Sequence, residues 1–179
     1  ATSPALFFTR MAAHLCAPTF VFLTGLGAWL YAHPANNPPR SASEFLFKRG
    51  VFLVFIEITL VNFSWFGNVD TIYLQVIWAI GVSMIVLSLM VRLPYLLIGV
   101  IGFVIVAGHN LLIPISFDPN DMGYTLWTIL HDRGFIYEGD IRVKASYPVL
   151  PWIGVILLGY FAGPLYAQTM ERLARRKQL

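Results

Sequence analysis

The chain carries five apolar segments that are each long enough to cross a membrane. They lie at residues 6–32, 45–66, 72–91, 93–112 and 147–169. A spanning helix needs about 20 mostly apolar residues. In lipid, every backbone polar group must be bonded within the protein, so such runs fold as helices. The sequence therefore predicts an all-α fold: a polytopic transmembrane helical bundle with about five spans, forming a single membrane-embedded domain over residues 1–179.

The overall composition supports the same class of protein. Of the 179 residues, 58% are hydrophobic and only 12% are charged, whereas roughly 25% charged residues are usual in soluble domains. A soluble core of this length has too little volume to hide so much apolar surface. The net charge of +3 comes from basic residues scattered at the ends of apolar runs. Their placement indicates membrane topology and gives no reason to expect a nucleic-acid partner.

Lysine and arginine residues predict the orientation of the bundle, because they are enriched in cytoplasmic loops. The tail at residues 170–179 holds four of the twelve basic residues, so it is predicted to be cytoplasmic. Counting back through five spans places the long polar loop at residues 113–146 outside. The basic residues then divide eight inside against four outside, which agrees with the assignment.

Polar side chains gather in the outer half of the predicted spans. They are Arg10, His14, Glu57, Asn62, Gln75, His109 and Asn110. A charged group at the centre of a bilayer costs about 2.5–3.5 kcal/mol on insertion scales. Glu57 is therefore expected to face the interior of the bundle and to have a partner, with Arg10 or His14 nearest in depth. Together these residues predict a buried polar pocket that opens outward and is built from several helices.

Each of these residues also has a structural interpretation. Arg10 can extend to the head groups, and His14 can be a neutral, hydrogen-bonded core residue. Asparagine and glutamine often bond one helix to another, which would account for Asn62, Gln75 and Asn110. Glu57 can belong to a structural ion pair. Their shared depth favours a functional site over these separate explanations.

The sequence also contains closely spaced glycine pairs and lacks the motifs of common soluble enzymes. The glycine pairs Gly25/Gly27 and Gly159/Gly163 are spaced to let helices approach closely. No phosphate-binding glycine loop, zinc-type Cys/His spacing or nucleophile-elbow serine is present, so no metal is expected. In "LHDRG", His131 precedes Asp132 in a polar loop, and it is interpreted as part of a solvated turn.

Several blocks of sequence, taken in order, resemble a known family. They are "FFTRMAAHLCAPTFVFLTG", "LFKRGVFLVFIEITLVNFSW", "QVIWAIGVSMIVLSLM", "VAGHNLL" and "YPVLPWIGVILLGYFAGPLY". Together they resemble bacterial members of the heparan-alpha-glucosaminide N-acetyltransferase catalytic-domain family, which belongs to a clan of multi-pass membrane acyltransferases. Members usually begin with one further helix, so the chain is expected to be a fragment that lacks it. The family's catalytic histidine does not map cleanly, because His14 aligns with an acidic position.

The resemblance implies an activity and a location. Acetyl-CoA in the cytoplasm would donate an acetyl group to a sugar or similar acceptor, a small molecule or a glycan, across the plasma (inner) membrane of a bacterium. A histidine would take the acceptor's proton or carry the acetyl group briefly, with Glu57 orienting it. The residues assigned on this basis are His14, Glu57 and His109 as catalytic, and Arg10, Asn62, Gln75 and Asn110 as substrate-binding.

Two other classes of function stay open. The same polar residues would serve a transporter or permease, which predicts solute movement without dependence on CoA. A non-catalytic membrane protein predicts that apolar replacements have little effect. Membrane lipid is the expected environment in every case, and a homodimer is compatible with the sequence.

Overall fold

A computed structural model describes residues 4–35, 37–67 and 70–167. The predicted cytoplasmic tail, 170–179, lies outside the described residues. The helices are α1 (Pro4–Ala32), α2 (Ser43–Ile56), α3 (Asn62–Phe66), α4 (Val76–Met90), α5 (Tyr95–Gly108), α6 (Tyr124–Leu130) and α7 (Leu150–Phe161). A π-helical turn, Glu57–Val61, joins α2 to α3, and a 3₁₀ turn, His109–Leu112, follows α5. The strands are β1 (Thr71–Leu74), β2 (Gly134–Glu138) and β3 (Arg142–Ala145).

Among the described residues, three helical segments are long and apolar enough to cross a membrane. They are Leu6–Ala32, Tyr95–Leu112 and Leu150–Ala167, and they match the first, fourth and fifth predicted spans to within three residues. Helix α4 is strongly apolar but has only 15 residues, or about 22 Å at a rise of 1.5 Å per residue. The region of the second predicted span is helical but is interrupted by the π-helical turn. The second and third spans therefore stay predictions.

The prediction of an all-α fold is wrong in one region, because the chain contains a three-stranded sheet of order β1-β3-β2. Strand β1 runs parallel to β3, with Thr71 opposite Arg142, and β3 pairs with β2 in the antiparallel sense. Residue 72, the predicted start of the third helix, belongs to β1. The sequence "TIYL" is rich in β-branched and aromatic residues, which suit a pleated strand. The predicted outer loop 113–146 accordingly contains α6, β2 and β3.

Glycines set how closely the long helices pack. A Cβ on Gly25 of α1 would collide with the carbonyl oxygen of Ile156 in α7. A Cβ on Gly50 of α2 would lie 2.6 Å from the carbonyl oxygen of Gly81 in α4. Backbones can approach this closely only where no side chain intervenes. The bundle therefore contains two tight helix pairs, α1 with α7 and α2 with α4.

The core lies where these pairs meet. The largest fully buried apolar side chains come from four different helices, and they are Leu46, Leu87, Ile98, Ile156 and Leu157. Helix α5 packs along the other side of α7. The sheet lies at the end of the bundle where α3 ends and where α4 and α7 begin, here called the sheet end. It is the sheet end that brings the candidate site together.

Candidate functional site

Glu57 is buried inside the protein, with 1% of its surface exposed. Its Oε1 accepts a hydrogen bond from the backbone N–H of Gln75 at 3.2 Å. The N–H groups of Ile77 and Trp78 also interact with this carboxylate. These groups form the start of α4, and a helix N-terminus attracts negative charge. The other oxygen, Oε2, is buried and has no hydrogen-bond partner among the described residues.

Asn62 fastens strand β1 to the helix that carries Glu57. Its Oδ1 accepts the N–H of Tyr73 at 2.7 Å, and its Nδ2 donates to the carbonyl of Tyr73 at 3.0 Å. Nδ2 also donates to the carbonyl of Glu57 at 2.7 Å. Both amide hydrogens are thereby used, and only one acceptor position remains. The side chain of Asn62 acts as a fixed link between the π-helical turn and β1.

The π-helical turn is what makes this link possible. An extra residue in the turn shifts the helix from α to i→i+5 bonding, so that the N–H of Asn62 donates to the carbonyl of Glu57. Turns of this kind frequently occur at functional sites. Here the turn places Glu57 toward α4 and Asn62 toward β1. We call Glu57, Asn62, Tyr73 and Gln75 the carboxylate cluster.

A second group of polar side chains lines a cavity of about 220 Å³ at the sheet end. We call it the histidine pocket. Its lining residues come from the ends of α5 and α6, from the segment before β2 and from the start of α7, and they are His109, His131, Arg133, Tyr147, Pro148, Pro151 and Trp152. The Tyr147 and Trp152 rings lie 6.1 Å apart at 38°. The pocket therefore combines basic groups with flat aromatic faces.

Backbone contacts explain how distant segments reach this pocket. The N–H of Val149 donates to the carbonyl of Ile129 at 3.0 Å, which brings the end of α6 beside the start of α7. The N–H of Ser146 donates to the carbonyl of Leu74 at 3.0 Å. Ser146 precedes Tyr147 of the pocket, and Leu74 precedes Gln75 of the carboxylate cluster. The two polar groups are therefore joined through one strand pair.

The ring of His109 has a defined tautomer. Its Nδ1 lies 2.9 Å from the carbonyl oxygen of Val106. A carbonyl oxygen only accepts hydrogen bonds, so Nδ1 must carry the proton. In the neutral ring, Nε2 then has a lone pair available. An imidazole held in this way can accept a proton or attack an acyl group.

The predicted site residues divide into three sets. The side chains of Glu57 and Asn62 and the backbone of Gln75 meet in the carboxylate cluster, whereas the sequence predicted one pocket for all seven residues. His109 lines the histidine pocket, with exposed Asn110 beside it. Arg10 and His14 are exposed on α1.

The partner of Glu57 differs from the predicted one. We expected Arg10 or His14, whereas the structure supplies the backbone N–H of Gln75. In the part of the chain that the structure describes, the one side-chain ion pair joins Lys48 to Glu44, at 2.6 Å. The start of α4 takes the place of the expected cation because its N–H groups carry partial positive charge.

Sequence reasoning missed the two other basic members of the histidine pocket, His131 and Arg133. His131 was interpreted as part of a solvated turn, and Arg133 entered only the count of basic residues. Both lie in the polar loop, and their spacing gives no sign of a site. The fold brings them to His109 through the backbone bond between Val149 and Ile129 at the end of α6. Within residues 4–35, 37–67 and 70–167, no three His, Cys, Asp or Glu side chains come together as metal ligands.

A larger cavity of about 560 Å³ lies between the two tight helix pairs. We call it the apolar cleft. It is lined from α1 by Phe20 and Thr24, from α2 by Arg49, Phe52 and Leu53, and from α4 by Ile77, Ile80 and Met84. Arg49 is the charged residue of this lining. Its end near Leu53 and Ile77 adjoins the carboxylate cluster.

The fold and the site define a class: a helical membrane protein with a buried carboxylate and a separate pocket rich in histidine. The family model described as heparan-alpha-glucosaminide N-acetyltransferase, catalytic, matches residues 2–178. The match covers almost the whole chain, so the chain belongs to this family, as the sequence blocks predicted. No curated protein and no solved structure matches it significantly.

Proposed function

We propose that the protein is a membrane acyltransferase that moves an acetyl group from cytoplasmic acetyl-CoA to an acceptor outside the cytoplasm. The family supports an acetyltransferase-like activity. The distribution of basic residues in the sequence supports placing the sheet end outside. The acceptor would then be a sugar or a similar molecule with an amine or hydroxyl group, reaching the histidine pocket from that side.

The observation that carries this proposal is the position of His109. Its Nδ1 bond to Val106 prepares Nε2 to take a proton, and the ring lines a pocket that also contains His131 and Arg133. In the reaction, the acceptor's nitrogen or oxygen forms a bond to the acetyl carbonyl carbon while its proton passes to Nε2. The thioester C–S bond breaks, and the CoA sulfur leaves as a thiolate. A positively charged neighbour such as Arg133 stabilises the oxyanion that develops.

Glu57 and Asn62 have positioning roles in this scheme. Glu57 fixes the start of α4, and Asn62 fixes β1. Through the Leu74–Ser146 bond, they hold the segment that carries Tyr147 in place. Direct contact of His14, Arg10, Gln75 or Asn110 with a substrate stays a prediction, and His14 is the competing candidate for the catalytic base.

The test uses membranes that contain the full-length protein, labelled acetyl-CoA and a panel of amino sugars. We expect His109→Ala to lower kcat by about 10²- to 10⁴-fold, the range of a general base. His33→Ala is the matched control. The Nδ1 of His33 also lies 3.0 Å from a backbone carbonyl oxygen, that of Trp29, but His33 directly follows α1 and does not line the histidine pocket. Normal turnover by His109→Ala together with loss in His14→Ala would transfer the catalytic role to His14.

A further inference from the structure

Among the residues that the structure describes, the positive charge of Arg49 is not compensated by a nearby carboxylate, whereas that of its sequence neighbour Lys48 is. Lys48 is neutralised within its own helix, because its Nζ lies 2.6 Å from Oε1 of Glu44. Arg49 has no carboxylate at ion-pair distance in the described part of the chain. It lines the apolar cleft, whereas Lys48 does not line it. One of two adjacent cations is thus compensated, and the other is left at the edge of an apolar cavity.

The guanidinium of Arg49 is the first of four planar groups that stack on one another. Its guanidinium carbon lies 4.5 Å from the ring centre of Phe45. The Phe45 ring stacks on Tyr31, at 4.1 Å between centroids and 12° between planes. On the far side of Tyr31 lies the guanidinium of Arg40, at 3.7 Å from the ring centre. The Nε of Arg40 donates to the carbonyl of Tyr31 at 2.8 Å.

This arrangement presents the oriented guanidinium group of Arg49 at the edge of the cleft, while Arg40 lies at the far end of the stack. Stacking on aromatic faces orients a guanidinium while leaving its edge donors available. Those donors match the oxygens of a phosphate, to which arginine binds in a bidentate manner. The stack therefore has the chemistry of a phosphate site.

The cleft itself is apolar, and two phenylalanines of its wall are largely exposed. Phe20 and Phe52 line it, and they are 60% and 59% exposed. The hydroxyl of Thr24 is used within its own helix, where it donates to the carbonyl of Phe20 at 2.8 Å. No polar group of the wall other than Arg49 thus needs a partner from an occupant. In a membrane protein, such an opening faces hydrocarbon chains.

We infer that the apolar cleft binds one acyl chain of an anionic phospholipid, whose phosphate contacts Arg49. The charge distribution of the sequence places this end of the bundle at the cytoplasmic leaflet, which is rich in anionic lipids. The volume of about 560 Å³ lies within the usual range for small-molecule sites. The inference is independent of the acetyl transfer proposed above, because it concerns a different cavity.

The test measures lipid retention by the full-length protein. The protein is reconstituted in vesicles of equal parts phosphatidylglycerol and phosphatidylcholine, extracted in mild detergent, and its retained lipid is counted by mass spectrometry. Arg49→Gln is compared with Lys48→Gln, which removes the same charge one position away. We expect wild type and Lys48→Gln to be enriched in phosphatidylglycerol, and Arg49→Gln to lose roughly five- to tenfold of that enrichment.

Four outcomes would overturn the inference. They are equal losses in Arg49→Gln and Lys48→Gln, no retained phosphatidylglycerol in wild type, retention of phosphatidylcholine equal to that of phosphatidylglycerol, and displacement of the lipid by excess acetyl-CoA. The last would assign the cleft to the acyl donor. If Arg49→Gln does not fold, Arg49→Lys is expected to retain less phosphatidylglycerol than Lys48→Gln, and equal retention would count against the site. Because acetyl-CoA is absent from the main measurement, a failed transfer assay leaves this result unaffected.

Discussion

Replacing Asn62 with alanine tests whether the carboxylate cluster is a structural joint. The substitution removes three hydrogen bonds, two to Tyr73 and one to Glu57, at distances of 2.7 to 3.0 Å. A typical intramolecular hydrogen bond contributes about 1 kcal/mol net to stability. Asn62 is only 5% exposed, so water cannot readily replace the lost bonds. We therefore expect Asn62→Ala to lower the free energy of unfolding by about 3 kcal/mol.

The assay is thermal unfolding of the purified protein in one detergent, followed by the loss of the monodisperse peak on size-exclusion chromatography. For a chain of this size, about 3 kcal/mol corresponds to roughly 6–12 °C in the unfolding midpoint. Asn62→Asp keeps the acceptor for Tyr73 but loses both donated bonds, so it should show most of the same loss. Asn37→Ala, at an exposed loop position, is the control and should change stability by less than about 0.5 kcal/mol.

One result would refute this reasoning. If Asn62→Ala unfolds at the same temperature as Asn37→Ala but no longer transfers acetyl groups, the side chain does not hold β1 in place. Its role would then be to bind substrate, the role predicted from the sequence. If stability and activity fall together, and the activity per folded molecule is preserved at low temperature, the result supports a structural role in which Asn62 holds β1 in place.

Three glycine substitutions test the helix packing and the end of α3. Gly25→Ala should destabilise the bundle by more than about 3 kcal/mol, because its Cβ would meet the backbone of Ile156. Gly27→Ala is the control: its Cβ would have no atom within 4 Å, so it should be neutral or stabilise by up to about 1 kcal/mol. Equal unfolding midpoints for the two variants would contradict this packing. Gly67→Ala should cost about 1 kcal/mol in the same assay, because Gly67 has φ 63° and open space around it, and a larger loss would indicate a contact beyond backbone strain.

The long helices could be predicted from the sequence because the bilayer thickness fixes their length. Runs of apolar residues ending at loop and turn residues gave the spans Leu6–Ala32, Tyr95–Leu112 and Leu150–Ala167 to within three residues. Strand β1 could not be predicted in this way. Its four residues continue an apolar run, and composition alone does not distinguish a short buried strand from a helix. Only its pairing with β3 makes it a strand.

Glu57 illustrates what charge and burial can and cannot predict. An isolated carboxylate in an apolar run has to face the interior, and it does. Its partner could not be identified from side-chain types, because the backbone N–H groups that begin α4 supply it. The π-helical turn that aims Glu57 is likewise a property of backbone geometry. No residue pattern in "EITLV" marks it.

The histidine pocket shows the effect of long-range contacts. His109 was a candidate because it ends an apolar helix, but His131 and Arg133 look like ordinary loop residues. They join His109 because the Val149–Ile129 backbone bond ties the end of α6 to the start of α7 and because β3 leads directly to Tyr147. A single sequence carries little information about contacts between segments so far apart.

The parallel pairing of β1 with β3 has a consequence for biosynthesis. Thr71 lies opposite Arg142, so 71 residues must be synthesised after the first strand before its partner exists. Chains fold from the N-terminus as they emerge, at about 5–20 residues per second, so β1 waits for several seconds with one edge unpaired. During that interval β3 is missing, and the side chain of Asn62 can already bond both backbone groups of Tyr73. Completion of the sheet is therefore a late event in the folding of this chain.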